Sequence, residues 1–451
     1  MPDPTIDTDI LIIGAGPAGM AAACAATACR IAPDTDSTHG QLSVTVLDDN
    51  PLPGGQIWRG GPAHADSAAG PWFRQFAASG AQLLSGASVV APLAPNLLLI
   101  NHAGQPRHVQ YKKLILATGA RELFLPFPGW TLPGVTGVGG LSALAKGGVP
   151  VRGKRIIFAG TGPLLLAAAE HLKSMGASVV LIAEQTSFTK LAKFGAGLIS
   201  TPSKFWQAIS LKSKLLGVPF KTNSYVTHAH RSGDALRVTL QIGGKTKTLD
   251  CDYLGCAYGL IANTELPRLL GCAITPEGFV QSDELQRTSQ PDIYVAGEIT
   301  GIGGVDKSIA EGLVAGTDVA RTLLLFRYPS EKFADPRAAT THFMAALAAR
   351  KFVPRLAQAF ALRPELRQLA AADTIICRCE DIRLDQISAC SSARDAKLQT
   401  RCGMGACQGR ICGAALREIR GWTDASVRPP VFSSPLQTLL PLESANLPRN
   451  A

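Results

Sequence analysis

Asp9-Ile-Leu-Ile-Ile-Gly14-Ala-Gly16-Pro17-Ala18-Gly19 decides how this chain folds. An apolar run feeds Gly-x-Gly-x-x-Gly, and an alanine-rich stretch with helical composition follows to Arg30, so the order is strand, tight turn, helix. Gly14 permits the turn, Gly16 lets a pyrophosphate approach the main chain, and Gly19 allows the helix to pack closely on the strand. The start of that helix then faces the phosphates. An acid for the adenosine ribose belongs at the end of the next strand, about 20 residues on. Val44-Thr-Val-Leu-Asp48 supplies it late, because residues 32–43 read as an inserted polar loop. Asp48 is the candidate and Asp49 the bystander.

A second copy begins at Arg155-Ile-Ile-Phe-Ala-Gly160-Thr-Gly162-Pro-Leu-Leu165, runs through a helix to Met175 and ends at Val179-Val-Leu-Ile-Ala-Glu184. Leu165 replaces the third glycine and crowds the helix against the strand. Glu184 stands where an acid would favour NAD over NADP. The copy is either a second nucleotide site, for NADH or ATP, or a retained fold without a ligand.

Between the copies, Lys113-Leu-Ile-Leu-Ala-Thr118-Gly119-Ala120 is a buried strand ending in a small-residue turn. Far downstream, Pro291-Asp-Ile-Tyr-Val-Ala-Gly297-Glu298 repeats that logic before a helix running to about Phe326. A chain that starts one dinucleotide domain, inserts another and returns to the first resembles the two-dinucleotide flavoproteins, an α/β fold. That resemblance implies FAD in the first domain, Thr118 and Gly119 over its phosphate region, and Glu298, after Gly297, on its ribityl chain. Gly54-Gly55-Gln56 follows the first acid closely and is placed against the flavin ring, with Gln56 as a hydrogen-bond partner. Val89 completes the expected cofactor-binding set.

Four cysteines lie near the end, Cys377 and Cys379 in Cys-x-Cys, and Cys407 and Cys412 in Cys-x4-Cys on a glycine-rich loop. Four soft thiolates suit a [2Fe-2S] cluster. Structural zinc more often shows Cys-x2-Cys at both ends, and a disulfide pair implies an oxidising compartment. Cys402 has the same spacing to Cys407 as Cys407 has to Cys412. Gly403, Met404 and Gly405 read as the turn presenting Cys407, so Cys402 is expected to stand aside.

At 451 residues the chain exceeds one ordinary core. No apolar run reaches the length of a spanning helix, and the acidic start does not read as a signal peptide. With eleven cysteines, an odd number, a reduced, cytoplasmic protein is expected. The net charge of +10 is scattered, although Lys190, Lys193, Lys204, Lys212 and Lys214 thicken one region. No concentrated stripe or reader motif points to nucleic acid. A basic face suits an acidic partner or the inner face of a membrane.

Gly-Gly-Gln-Ile-Trp-Arg from Gly54, Ala-Gly-Thr-Gly-Pro-Leu-Leu from Ala159, Ala-Gly-Glu-Ile-Thr-Gly-Ile-Gly-Gly from Ala296 and the cysteine pattern together resemble the alpha subunits of flavin-dependent amine dehydrogenase complexes. The corresponding subunit of opine oxidase, the large flavoprotein subunit of hydrogen cyanide synthase and the alpha subunit of D-hydroxyproline dehydrogenase are of this kind. The end of the chain is similar to the small helical bacterioferritin-associated ferredoxin fold. The resemblance implies oxidation of an amine or imino acid on a partner FAD subunit of the D-amino-acid-oxidase type, a possible small ferredoxin-like subunit, and a quinone or artificial acceptor. The expected domains are an FAD-binding domain in two parts (1–148 and 266–330), an inserted nucleotide-binding domain (149–265), a helical linker (331–372), a [2Fe-2S] domain (373–430) and an extended tail (431–451). No Cys-x2-Cys redox pair adjoins either nucleotide loop, and the histidines are scattered. No catalytic acid, base or nucleophile is assigned.

Overall fold

The computed structural model describes residues 5–31, 41–64, 68–330, 332–333, 335, 337–423 and 427–440. It divides into two units, one of Met1–Arg121, Ala262–Val353 and Val427–Ala451, the other of Glu122–Ile261 and Pro354–Ser426.

In the first unit, β1 (Ile6–Ile13), β2 (Val44–Asp48), β3 (Gln82–Ser85), β4 (Ala87–Ala94), β5 (Leu97–His102) and β6 (Gln105–Leu116) assemble in the order β3-β2-β1-β6-β5-β4. Strands β3, β2, β1 and β6 are parallel, and Ile293–Val295 adds a further parallel strand beside the end of β6. Strand β1 lies between two neighbours with both faces covered, which is why it reads as an unbroken apolar run. Helix α1 (Pro17–Ala28) is rich in alanine because it is squeezed between this sheet and the long helix Val305–Arg327. Gly312 and Gly316 of the long helix lie on Ala18 and Ala22. A Cβ at either glycine would stand 2.2 Å from the carbonyl oxygen it faces.

The second unit repeats the scheme. Its strands are β7 (Val135–Gly137), β8 (Arg155–Gly160), β9 (Ser178–Glu184), β10 (Phe220–Lys221), β11 (Ser224–Ser232), β12 (Ala235–Ile242), β13 (Lys245–Cys251) and β14 (Tyr253–Ala257). A sheet in the order β10-β9-β8-β14-β7 carries α2 (Pro163–Ser174), while β11, β12 and β13 form an antiparallel meander. Thus β1-α1-β2 and β8-α2-β9 are two copies of one motif.

The boundaries differ from those expected. The second unit begins at Glu122 rather than 149, because β7 pairs with β14 and the helix Val138–Lys146 packs into the core around Phe158 and Leu165. The expected linker is divided. Helix Ala338–Arg350 belongs to the first unit, whereas Phe360 meets Phe194 with ring centroids 5.1 Å apart and Leu366 is buried within the second. The cysteine-bearing segment is part of the second unit also, where the indole of Trp130 donates to the Ile375 carbonyl at 2.6 Å. It comprises a short ribbon (Ile375–Cys377 with Ile382–Arg383), the helices Ala393–Thr400 and Cys412–Arg420, and a small core of Ile376, Ile387, Ala396, Leu416 and cysteines. The tail returns to the first unit through a Val431 amide bonded to the Val90 carbonyl. Of the inserted loop, residues 32–40 lie outside the described residues, as do 441–451 of the tail.

Gly316→Ala should therefore cost about 1–3 kcal/mol by overpacking and lower the thermal midpoint. Gly195→Ala, in a helix with open space at its Cβ position, should leave the midpoint unchanged or raise it. Circular dichroism melts of the two variants check the contrast.

Candidate functional site

In the first glycine loop, Gly14 adopts φ +105° and a Cβ there would sit 2.4 Å from the Ala117 carbonyl oxygen. Gly19 packs equally tightly on the Gly14 carbonyl, and Pro17 and Ala18 open α1 behind Gly16. The Ala15 amide donates to Asp48 Oδ2 at 2.6 Å, while Asp48 Oδ1 accepts from the Asn50 amide and side chain at 2.8 and 2.9 Å. Asp48 is buried and both its oxygens are engaged within the protein. Asp49, expected to stand by, is the exposed carboxylate at this strand end. The Gly54 amide donates to the Ala15 carbonyl at 2.8 Å and Gly55 lies against Gly16, so two side-chain-free stretches adjoin. Gln56 is exposed and accepts from Arg59 at 2.9 Å. Val89 is buried on β4, paired with Ile100.

Thr118 and Gly119 are clamped by a residue that the sequence reading passed over. Thr118 Oγ1 donates to the Asn263 carbonyl, the Asn263 side-chain amide donates back to the Thr118 carbonyl, each at 2.8 Å, and the Asn263 amide reaches the Gly119 carbonyl at 3.0 Å. A Cβ on Gly119 would meet open space.

The Gly297-Glu298 turn rests on a buried ionic network. Glu311 Oε2 accepts from the Gly297 amide at 3.0 Å and from Lys307 Nζ at 2.8 Å, and its Oε1 accepts from Arg350 Nε at 2.9 Å. Lys307 also donates to the Gly297 carbonyl and to Thr300. Burial alone would raise the Glu311 carboxyl, but Lys307 and Arg350 outweigh it and hold the group below its usual range. Glu298 Oε1 accepts from the Gly304 amide at 2.7 Å, whereas its buried Oε2 has no hydrogen-bond partner among the described residues. Burial pushes this carboxyl up. The Lys-x3-Glu spacing in a helix is the only sequence signal of the network, and it usually marks a solvated face.

In the second copy Gly160 and Gly162 keep positive φ, but Glu184 is not free. Its oxygens accept from Thr161 Oγ1 at 3.0 Å, the Thr186 amide at 2.9 Å and the Gly162 amide at 2.9 Å, and burial raises its carboxyl. Gln185 occupies the place that Asp49 holds in the first copy and is only 1% exposed. Its side chain donates to the Ala361 carbonyl and accepts from the Arg363 amide, both at 3.1 Å. Arg363 in turn lies over the Tyr225 ring and bonds Asn223 and Glu365. Residues 361–363 cover this strand end.

The cysteines converge, with one departure. Sγ atoms of Cys377, Cys402 and Cys412, all buried, lie within 4.8 Å of one another. Cys379, exposed, shares a thiol hydrogen bond with the half-buried Cys407. Cys402 thus belongs to the cluster, contrary to expectation, because Arg401 takes a left-handed conformation that ends the preceding helix and brings Cys402 into the small core. Hydrogen bonds from Cys402 and Cys412 hold the Cys377 thiol well below its usual range, and the Gly403 amide adds another. A Cβ on Gly405 would strike Cys379, so glycine is what lets this loop close. Of the neighbouring arginines, Arg401 pairs with Glu380 and Arg378 lies over Trp130.

Residues 8–316 match the model of a family described as pyridine nucleotide-disulphide oxidoreductase. This chain belongs to that family. It is 31% identical to the HcnB subunit of hydrogen cyanide synthase from Pseudomonas aeruginosa, over 89% of this chain and 90% of that protein. It is also 31% identical to an opine oxidase subunit of Rhizobium meliloti (strain 1021), over 94% and 96% respectively. These relatives place it among the FAD-dependent oxidoreductases that act as subunits of dehydrogenase or oxidase complexes. Among solved structures, L-proline dehydrogenase from P. horikoshii superposes with a TM-score of 0.65 at 17% identity, over 96% of this chain and 80% of that one. Thioredoxin reductase of T. acidophilum gives 0.52 at 22% identity, over 70% and 99%. At these identities the likeness is one of fold. No helix among the described residues is long and apolar enough to cross a membrane.

Lys307→Met would strand Glu311 with Arg350 alone. Loss of one partner of a buried pair costs about 3 kcal/mol or more, so FAD content and the melting midpoint should both fall. The stability drawn from the depressed Glu311 carboxyl is complete at neutral pH and lost as pH falls through its folded pKa. In the variant, acid unfolding should begin at higher pH, which a pH titration of circular dichroism would show.

Proposed function

We propose that this chain is the electron-transferring flavoprotein and iron–sulfur subunit of a hetero-oligomeric amine or amino/imino-acid dehydrogenase, of the opine or D-hydroxyproline type. The convergence of soft sulfur ligands on a unit built around a closed nucleotide fold is the observation that carries the reading.

The first fold suits FAD. Gly14, Gly16 and Gly19 keep side chains away from the pyrophosphate, and Gly54 and Gly55 do so beside the ring. Asp49 takes the ribose role first expected of Asp48, whose oxygens are spent on the loop. The orphan Glu298 Oε2 calls for a donor such as a ribityl hydroxyl. Thr118, Gly119 and Gly297 complete the cradle, and Asn263 and Lys307 position it. For the [2Fe-2S] cluster, Cys379 and Cys407 form one ligand pair, Cys377 and Cys412 the other. Bound flavin supplies both two-electron and one-electron chemistry, so this chain would link a partner FAD subunit to single-electron carriers and on to a quinone or artificial acceptor. Such a role suits the cytoplasm, at the inner face of a membrane.

The rival reading, a stand-alone NADH-dependent reductase, needs the Gly160 loop to accept a dinucleotide. The 361–363 cover over Gln185 speaks against it, and equally against ATP there.

Anaerobic mixing tests the choice. NADH should leave the flavin of the purified chain unbleached, and an amine or imino acid should bleach it only with the partner subunit present. Rapid bleaching by NADH, or substantial amine oxidation by the chain alone, would refute the proposal. Asp49→Ala should weaken FAD retention roughly 10- to 100-fold, as loss of a hydrogen bond to a charged group implies. Fluorescence of released flavin on dilution measures this.

A further inference from the structure

We propose that Cys402 is a resident fifth thiolate at the buried side of the cluster, able to replace Cys377 or Cys412 but not Cys379 or Cys407. The inference rests on the iron–sulfur reading above and adds a ligand to it.

Sulfur spacing is decisive. Thiolates bound about 2.3 Å from one tetrahedral ion stand roughly 3.8 Å apart. Cys377, Cys402 and Cys412 lie within 4.8 Å of one another, so a small closure brings any two of them onto a single iron. The remaining two sulfurs form a separate pair, Cys379 with Cys407. A [2Fe-2S] centre takes four thiolates, and this arrangement offers five, with the surplus confined to one side.

Cys402 does not behave as a packing cysteine. Its thiol faces two other sulfurs, and it is only 4% exposed. The loop that carries it already serves the same pair, since the Gly403 amide donates to Cys377 Sγ at 3.4 Å. Arg401 at φ +66° and Gly403 at φ +82° bracket Cys402, so it sits on a turn rather than in a helix whose repeat would fix its height. The same turn leads by way of Gly405 to the outer pair, which lies on the exposed side and has no third sulfur among the described residues.

The test uses the full-length chain, purified anaerobically, with each of C377A, C412A, C379A and C407A made alone and combined with C402A. Iron per chain and the electron paramagnetic resonance of the reduced protein are read, with circular dichroism melts reporting folding. C412A or C377A should keep most of the iron, with changed g-values, and lose it when C402A is added. C379A and C407A should lose iron whether or not Cys402 is present. C402A alone should keep its iron. The proposal is overturned if C377A and C412A both lose iron as completely as their C402A doubles while remaining folded. A wild-type chain that binds zinc or no metal overturns the cluster reading itself, and is recognised before any variant is compared.

Discussion

In both nucleotide folds a buried carboxylate at the end of the second strand pins the glycine loop. Asp48 accepts the Ala15 amide, and Glu184 accepts the Gly162 amide and the Thr161 hydroxyl. Amide-to-carboxylate bonds of this kind, shielded from water, are each worth about 1.5–3 kcal/mol. They fix where the loop stands before any ligand arrives. The pinning acid has both oxygens engaged within the protein, and the two copies differ at the residue that follows it. In the first copy that residue is Asp49, an exposed acid. In the second it is Gln185, neutral and covered.

The two copies of the fold thereby differ at their strand ends. The open copy keeps the features of a cofactor cradle, down to a buried Glu298 oxygen lacking a donor. The covered copy carries sulfur. Its strand end holds residues 361–363, its core takes in Leu366, and its Trp130 bonds Ile375, two positions before Cys377. Each contact removes freedom from the segment that leads to the cysteines. Fixed sulfur positions are what a cluster needs to be held in one geometry.

Much of this was legible in the chain itself. Gly14, Gly16 and Gly19 between an apolar run and an alanine-rich helix identify the first fold because tight turns and close backbone approach tolerate nothing larger. Of the three cysteines whose sulfurs converge, Cys377 and Cys412 were legible as soft ligands flanking a glycine-rich turn. What failed depended on contacts distant in sequence. Spacing locates the end of β2 but does not say which of Asp48 and Asp49 is consumed by the Ala15 amide. The small residues after Cys402 resembled a turn presenting Cys407, whereas the left-handed Arg401 places Cys402 in the core first. Lys307 and Glu311 have a spacing that sequence alone does not tell from a solvated helix pair, and they are buried where the glycines around them close the helix against α1. The unit boundary at Glu122 was hidden because β7 and its helix precede the second glycine loop.

A flavin and an iron–sulfur cluster held by one chain are the foundation of the proposed role. Anaerobic isolation from the native cell, followed by metal analysis, flavin quantification and an absorption spectrum on one sample, tests this most directly. The expected result is one FAD and about two iron atoms per chain, with sulfide-to-iron charge-transfer bands beneath the flavin absorption. Zinc in place of iron, or flavin without any metal, would contradict it.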